Sequence, residues 1–281
     1  MTTGATQPRD AVRPLTAHER LCGEIIDLLK TPLVCGLCEI DLAAVQALRR
    51  ALPPERAASL TDVTMVVAAA ARALVSDPRL HTIHHRGRRI VPADVDVGVS
   101  VAGRGMLSPI TVVRGAQART AEEIGDAIHG GAREALRNER IDIERAWMAR
   151  LVPGPLRRLL LRWAFASPRF RRKLVGTFQV SHVGTFGIEI ATTPVAAAPL
   201  LMLGATQDRA VVLDGSLVVR PRAWITMQAD HRILDAASMG AFRTLLQAYL
   251  DHPQDLLAQP PAQPAVSTPA SSSRLVSTSA R

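Results

Sequence analysis

Helix-like and strand-like segments alternate along most of this chain, and this alternation restricts the fold to the α/β classes. The alanine-rich run at residues 61–77 has helical spacing and begins at Thr61, a favourable N-cap residue. Strand-like runs lie at residues 33–42 and 176–184. With 281 residues, of which 47% are hydrophobic, the chain can bury a complete core. We therefore predict one α/β domain over residues 14–258.

The two ends of the chain differ from this domain in composition. Residues 1–13 are polar and residues 259–281 are rich in Pro, Ser and Thr, so neither segment can bury enough apolar surface to become ordered. The longest apolar runs are shorter than the roughly 18–20 residues that span a bilayer, and the N-terminus lacks the apolar core of a signal peptide. We expect a cytoplasmic protein with disordered ends.

Cysteines and clustered histidines are the candidate metal ligands. Cys35 and Cys38 form a lone C-x-x-C, but a strand would direct the two side chains to opposite faces, which favours packing over a redox or metal role. His81, His84 and His85 lie beside a hairpin-like turn without a neighbouring carboxylate or cysteine. We interpret them as solvated histidines and predict no bound metal.

Positive charge is concentrated in one segment. The formal net charge is +9, and the window from Arg145 to Ile188 contains nine basic residues and no acidic one. Aromatic residues make up only 3% of the chain, and it contains no zinc finger, basic zipper or aromatic stacking signature, so we predict no nucleic-acid partner. Walker, G-x-S-x-G and dinucleotide-binding motifs are also absent from the sequence.

The most informative stretch is DHRILDAASMGAF at residues 230–242, where a strand-like run changes into a helix-like one. A buried imidazole and an N-cap would explain it in purely structural terms. The stretch also resembles the D-H-R-x-x-D-G-A signature of the dihydrolipoamide acyltransferase catalytic domains of 2-oxoacid dehydrogenase complexes, which are relatives of chloramphenicol acetyltransferase. Residues 176–205 are similar to the G-T-F-T-I-S-x-x-G segment of that family. Ala236 replaces the signature glycine, and His182 stands where the family usually has a small polar residue.

This resemblance implies a fold and a set of site residues. The fold would be a chloramphenicol acetyltransferase-like α/β structure, a two-layer α+β sandwich of a mixed sheet with helices, assembled as a homotrimer. His231 would be the general base and the Ser181 hydroxyl would stabilise the oxyanion. Asp235 would pair with an arginine or fix the histidine loop, and Arg232 would be a structural partner. In the family the His and Ser of one site come from neighbouring chains, and coenzyme A enters opposite the acceptor.

Three functions remain open at this point. The first is a free-standing acyltransferase that moves an acyl group from acyl-CoA, or from a pantetheine carrier, to a small hydroxyl, amine or thiol acceptor. We favour it because no lipoyl domain precedes the predicted domain in this sequence and the chain carries no lipoyl group. The second is an acyltransferase core subunit of a 2-oxoacid dehydrogenase complex with its lipoyl domain on another chain. The third is a non-catalytic trimeric scaffold or binding protein.

An insertion relative to the family is predicted at about residues 139–175, after a helix that ends near Asn138. Helical spacing places two sets of side chains on different faces: Leu156, Leu159, Leu160 and Trp163 on one, and Arg157, Arg158 and Arg162 on another. One interpretation is a lid whose apolar face covers the core, with arginines that are solvated or contact the phosphates of coenzyme A. The other is docking of residues 145–173 to an acyl carrier protein or to an anionic membrane surface.

Overall fold

The computed structural model describes residues 15–29, 32–77, 81–105, 107–194 and 199–259. The predicted disordered ends therefore lie outside the described residues, apart from Gln259. The helices of the described chain are α1 (Ala17–Leu28), α2 (Ala43–Ala51), α3 (Pro54–Ser59), α4 (Asp62–Ser76), α5 (Ala121–Arg145), α6 (Gly154–Ala166), α7 (Pro168–Val175) and α8 (Ala236–Asp251). None of them is long and apolar enough to span a membrane.

The strands form one mixed sheet and one separate hairpin. The strands are β1 (Leu33–Asp41), β2 (Ile83–His85), β3 (Arg88–Ile90), β4 (Val97–Ser100), β5 (Ile110–Val113), β6 (Phe178–His182), β7 (Leu200–Leu203), β8 (Gln207–Leu213) and β9 (Ser216–Asp230). The sheet has the order β1-β9-β7-β6-β4-β5, and β8 pairs with the first half of β9. The pairs β4–β6 and β6–β7 are parallel, and the other pairs are antiparallel. Strands β2 and β3 form the separate hairpin.

Side chains of helices α4 and α8 pack with one face of this sheet to form the core. Phe178 of β6 and Phe242 of α8 have ring centroids 5.7 Å apart. Alternate residues of the central strands, such as Val180 and Leu201, point into the same core, whereas their neighbours point to the opposite face. The structure therefore has the two layers predicted from the sequence, and the opposite face of the sheet is the outer face.

Capping bonds hold the starts of α4 and α5, and the start predicted at Thr61 is confirmed. The Thr61 side chain accepts a hydrogen bond from the amide of Thr64 at the start of α4. Thr120 and Glu123 form a reciprocal capping box at the start of α5. These bonds satisfy amide groups that have no partner within the first helical turn, which is why Thr residues precede both helices.

Two predictions about individual elements are wrong. Helix α5 continues past Asn138 to Arg145, because the added turns contain no Gly or Pro to end it, so the predicted insertion starts inside a helix. The apolar face of α6 does not cover the core: its large side chains are exposed.

Candidate active site

His231 is the first residue of the turn between β9 and α8. Its amide donates a hydrogen bond to the carbonyl of Pro32, 2.9 Å away, which ties the turn to the start of β1. Its imidazole Nδ1 lies 2.9 Å from the carbonyl oxygen of Leu234. A carbonyl oxygen can only accept, so Nδ1 carries the hydrogen and the neutral ring has its lone pair on Nε2. This exposed imidazole is thus oriented as a proton acceptor through Nε2.

Two carboxylates shape the turn around His231. Asp230 accepts hydrogen bonds from the Arg232 guanidinium at 2.5–3.1 Å and from the Arg232 amide at 3.0 Å. Burial acts to raise the pKa of Asp230, but these bonds outweigh it and the pKa is lowered. Asp235 is the N-cap of α8 and accepts from the amide and the hydroxyl of Ser238. Arg232 and Asp235 therefore fix the backbone on both sides of the predicted base.

Ser181 lies on β6, half-buried on the outer face of the sheet. The neighbouring side chain, Val180, is part of the core on the helical side, and alternation directs Ser181 to the other side. Ser181 is paired with Met202 of β7, which is paired with Thr226 of β9. These three residues form one row across the outer face, and Thr226 is fully buried.

Buried polar groups fix the start of β6. The Thr177 hydroxyl accepts from the amide of Asp96 at 2.9 Å and lies 2.7 Å from Nε2 of His81. Gly176 has φ +78°, and a Cβ there would overlap the Asp96 carbonyl. The Gly-Thr pair of the signature is thus required by the close approach of β4. This contact sets the position of the strand that carries Ser181.

His81 contradicts the interpretation of its segment as a solvated turn. The side chain is buried, and burial, followed by the charge of Arg172, lowers its pKa from the ordinary 6.5 to about 4. Arg172 and Arg114 both donate to the Asp96 carboxylate, at 2.7 and 3.0 Å. The sequence analysis missed this cluster because the interacting groups are far apart along the chain. The local sequence offered one sign of this cluster, the adjacent Arg171 and Arg172 shortly before Gly176.

The structure does not bring the two predicted catalytic side chains together within one chain. Ser181 lies two strands away from Thr226, and His231 follows Thr226 by five residues along β9. Strand spacing and rise put the Cα atoms of Ser181 and His231 about 19 Å apart. Neither side chain is long enough to close such a gap. His231, Arg232 and Asp235, by contrast, lie in one turn.

The two departures from the signature have simple structural explanations. Ala236 is the first residue of α8, and the described non-glycine residues with positive φ are Arg86 and Asp214, so Ala236 needs no glycine conformation. His182 is half-buried beside Ser181, and burial lowers its pKa. Its half-buried position favours a packing role.

The two cysteines of the C-x-x-C lie on β1, outside this turn. Cys35 is exposed and Cys38 is half-buried against the core, on opposite faces of β1 as predicted, and both are free thiols. Among the described residues, no group of three or more His, Cys, Asp or Glu is arranged to hold a metal ion.

Comparisons with known proteins found matches to both the sequence and the fold of this chain. Residues 174–258 match the family model for the 2-oxoacid dehydrogenases acyltransferase (catalytic domain). The dihydrolipoyllysine-residue succinyltransferase component of the 2-oxoglutarate dehydrogenase complex from Rickettsia conorii is 35% identical over 85 residues, 29% of this chain and 21% of that protein. The dihydrolipoyllysine-residue acetyltransferase component of the pyruvate dehydrogenase complex from Corynebacterium glutamicum is 26% identical over 263 residues, 88% of this chain and 34% of that protein.

A solved structure extends the likeness to most of the described fold. The crystal structure of a probable dihydrolipoamide acetyltransferase from Listeria monocytogenes superposes with a TM-score of 0.68 at 20% identity, covering 86% of this chain and 95% of that chain. The fold predicted from the resemblance is therefore confirmed. The matched regions span about a fifth to a third of the length of the two relatives named above. Residues 174–258 thus match the family of 2-oxoacid dehydrogenase acyltransferase catalytic domains, and most of the chain shares the fold of the solved structure.

Proposed function

We propose that this chain catalyses acyl transfer between the thiol of coenzyme A and the thiol of a dihydrolipoyl group carried on another chain. The observation that carries the proposal is the Nδ1 bond of His231 to the Leu234 carbonyl, which leaves Nε2 of an exposed imidazole as a base. The names of the two relatives support the dihydrolipoyl acceptor. This is the second of the three functions predicted from the sequence.

The chemistry needs one base and one hydrogen-bond donor. Nε2 of His231 takes the proton of the attacking thiol, and the thiolate attacks the carbonyl carbon of the thioester. The Ser181 hydroxyl donates to the negative oxygen of the tetrahedral intermediate, a contact that stabilises it by about 3–4 kcal/mol. The carbon–sulfur bond to the leaving thiolate then breaks, and the imidazolium returns the proton to that sulfur. No acyl group is attached to the protein.

The proposed site contains His231 of one chain and Ser181 of a neighbour, because one chain alone leaves them about 19 Å apart. Apolar side chains that a single chain leaves exposed on its strands support an oligomer. Leu37 on β1 and the side chains of Val212 and Leu217 on the β8–β9 hairpin are exposed in a single chain. Apolar surface of this kind is typical of subunit interfaces. We propose the homotrimer that the resemblance implied.

The experiment is a thiol-release assay with the purified chain, a panel of acyl-CoAs and three acceptor classes: dihydrolipoamide, small alcohols and small amines. The proposal predicts acyl transfer to dihydrolipoamide in preference to the other acceptors. Transfer to alcohols or amines alone would instead support the free-standing enzyme with a small acceptor. A folded oligomer that transfers nothing to any acceptor would support the non-catalytic scaffold.

A further inference from the structure

Helix α6 is attached to the rest of the chain through a charged residue. Arg157 donates to both oxygens of the Glu24 carboxylate on α1, at 2.6 and 2.5 Å, and to the carbonyl of Ala149 at 2.6 Å. Hydrogen bonding from Arg157 lowers the pKa of Glu24, and both side chains are mostly covered. A helix on a globular protein usually turns its apolar face inward and its charges outward. In α6 the charged Arg157 points inward instead, and four large apolar side chains are exposed.

The apolar face of α6 therefore points away from the chain. Its members follow the i, i+3, i+4, i+7 spacing of one helical stripe, and their exposed fractions are 48% for Leu156, 63% for Leu159, 52% for Leu160 and 78% for Trp163. The largest apolar side chain of the helix is thus also the most exposed of the four. In water such a stripe is unfavourable, which indicates that something covers it in use.

The charged side chains of α6 and α7 themselves are all positive. Arg158 and Arg162 lie on α6 beside the stripe, and Arg169 and Lys173 are exposed on α7. The Arg158 side chain remains 66% exposed although its Nε is 3.8 Å from a Glu24 oxygen. No acidic residue lies between Arg145 and Ile188 in the sequence. The surface of α6 and α7 therefore combines an outward apolar stripe with exposed cations, of which Arg158 also lies near the Glu24 carboxylate.

We propose that this surface, defined by Leu156, Leu159, Leu160, Trp163, Arg158 and Arg162, binds peripherally to an anionic lipid bilayer. The helix would lie in the plane of the interface, with the leucines and Trp163 inserted among the acyl chains near the headgroups. The arginines would contact lipid phosphates. Amphipathic helices with cationic polar faces bind membranes in this orientation, and tryptophan favours the interfacial zone.

Two other occupants fit the surface less well. A second copy of the same helix, related by a two-fold axis, would bring cations against cations, with no acidic residue of the segment to neutralise them. An acidic carrier protein would satisfy the arginines but gives no reason for four large apolar side chains to point outward. An anionic bilayer satisfies both the apolar and the charged groups.

The test is co-sedimentation of the full chain with vesicles of phosphatidylcholine, with and without about one third phosphatidylglycerol. We expect binding to the anionic vesicles only, weakened at high salt because the attraction is screened. The pair Leu159→Ser and Trp163→Ser should abolish it. The pair Arg158→Gln and Arg162→Gln should weaken partitioning about 30-fold, given the contribution of each basic residue near such a surface. Arg157 is left unchanged because it holds the helix.

A matched control removes two exposed arginines elsewhere, Arg88 and Arg89 on β3. Arg88→Gln with Arg89→Gln lowers the net charge equally and should leave vesicle binding within about twofold, because these residues lie outside the α6 surface. Equal loss of binding in this control and in the α6 arginine pair would overturn the proposal, as would failure of the native chain to sediment.

Trp163 emission should also shift to shorter wavelength when the chain binds vesicles. A Trp163→Phe variant should show no such shift. Salt-sensitive binding to an acidic carrier protein without vesicle binding would assign the surface to that partner instead.

Discussion

Two regions of this molecule use an arginine–carboxylate pair to present an exposed group, and they do so over very different distances in the sequence. In the turn after β9, Arg232 pairs with Asp230, two residues away, and the presented group is the imidazole of His231. On α6, Arg157 pairs with Glu24, 133 residues away, and the presented group is a stripe of leucines with Trp163. The first arrangement leaves a base accessible, and the second leaves apolar surface accessible.

This difference separates what a local sequence pattern can indicate from what it cannot. The Asp230–Arg232 pair lies within one turn, so the signature that contains it also specifies its geometry. The orientation of α6 depends on a contact with α1, and helical spacing alone identifies its two faces without showing which one points inward. The predictions below test the two regions, from the largest expected effect to the smallest.

The largest effect is expected from His231→Ala. Loss of the general base should lower the acyl-transfer rate by about 10³-fold, and the fold should remain because the side chain is exposed. Rates with dihydrolipoamide as acceptor and circular dichroism of the variant provide the measurement. If the variant keeps its activity, His231 is not the general base. If the variant does not fold, the role of His231 is structural.

The buried contact between His81 and Thr177 predicts a pH dependence. His81 is neutral in the folded chain, with a pKa of about 4 against an ordinary 6.5, so the unfolded chain takes up the proton first as pH falls. The stability contributed by neutral His81 is therefore complete above about pH 6.5 and is lost toward pH 4, by about 3 kcal/mol. Urea unfolding should show that the native chain loses this much more stability than His81→Gln between about pH 7 and pH 4. Equal losses in the two proteins would contradict a buried neutral histidine.

Ser181→Ala tests the strand side of the site. Removing one donor to the oxyanion should lower the rate by about 10²-fold, with acyl-CoA affinity nearly unchanged because the contact forms mainly in the transition state. Steady-state kinetics with varied acyl-CoA separate the two quantities. A large rise in KM at constant kcat would show that Ser181 binds substrate and does not stabilise the oxyanion.

The anchor of α6 should have a smaller but measurable effect on stability. Arg157→Gln removes the charged hydrogen bonds to Glu24, which should lower the free energy of unfolding by about 2 kcal/mol. Arg158→Gln is the matched control on the same helix, and its effect should stay within about 0.5 kcal/mol because the residue is mostly exposed. Similar values for the two variants would mean that the Arg157 pair does not hold the helix.

The sequence predicted the fold and the family well because both are encoded in short-range patterns. Capping threonines, strand alternation and the two signature segments each lie within a few consecutive residues. The buried side chains Met239, Phe242 and Leu246 of α8 likewise recur at helical spacing. The continuation of α5 to Arg145 was missed because helix ends are weakly marked where no Gly or Pro stands.

The failures share a different cause. The burial of His81 depends on Thr177, 96 residues away, and the outward apolar face of α6 depends on Glu24. Contacts of this kind bring together segments whose local sequences carry no sign of one another. The separation of His231 and Ser181 within one chain is not such a failure, because the resemblance implies that the two side chains of a site come from neighbouring chains.

The most direct test of a site shared between chains is subunit mixing. His231→Ala retains Ser181, and Ser181→Ala retains His231, so each pure variant should be nearly inactive. When the two are unfolded together and reassembled, random mixing should give native sites at about a quarter of the interfaces, and about a quarter of the native activity. Recovery near that level would support a base and an oxyanion donor from neighbouring chains. No recovery from a mixture that has demonstrably formed mixed oligomers would contradict the account.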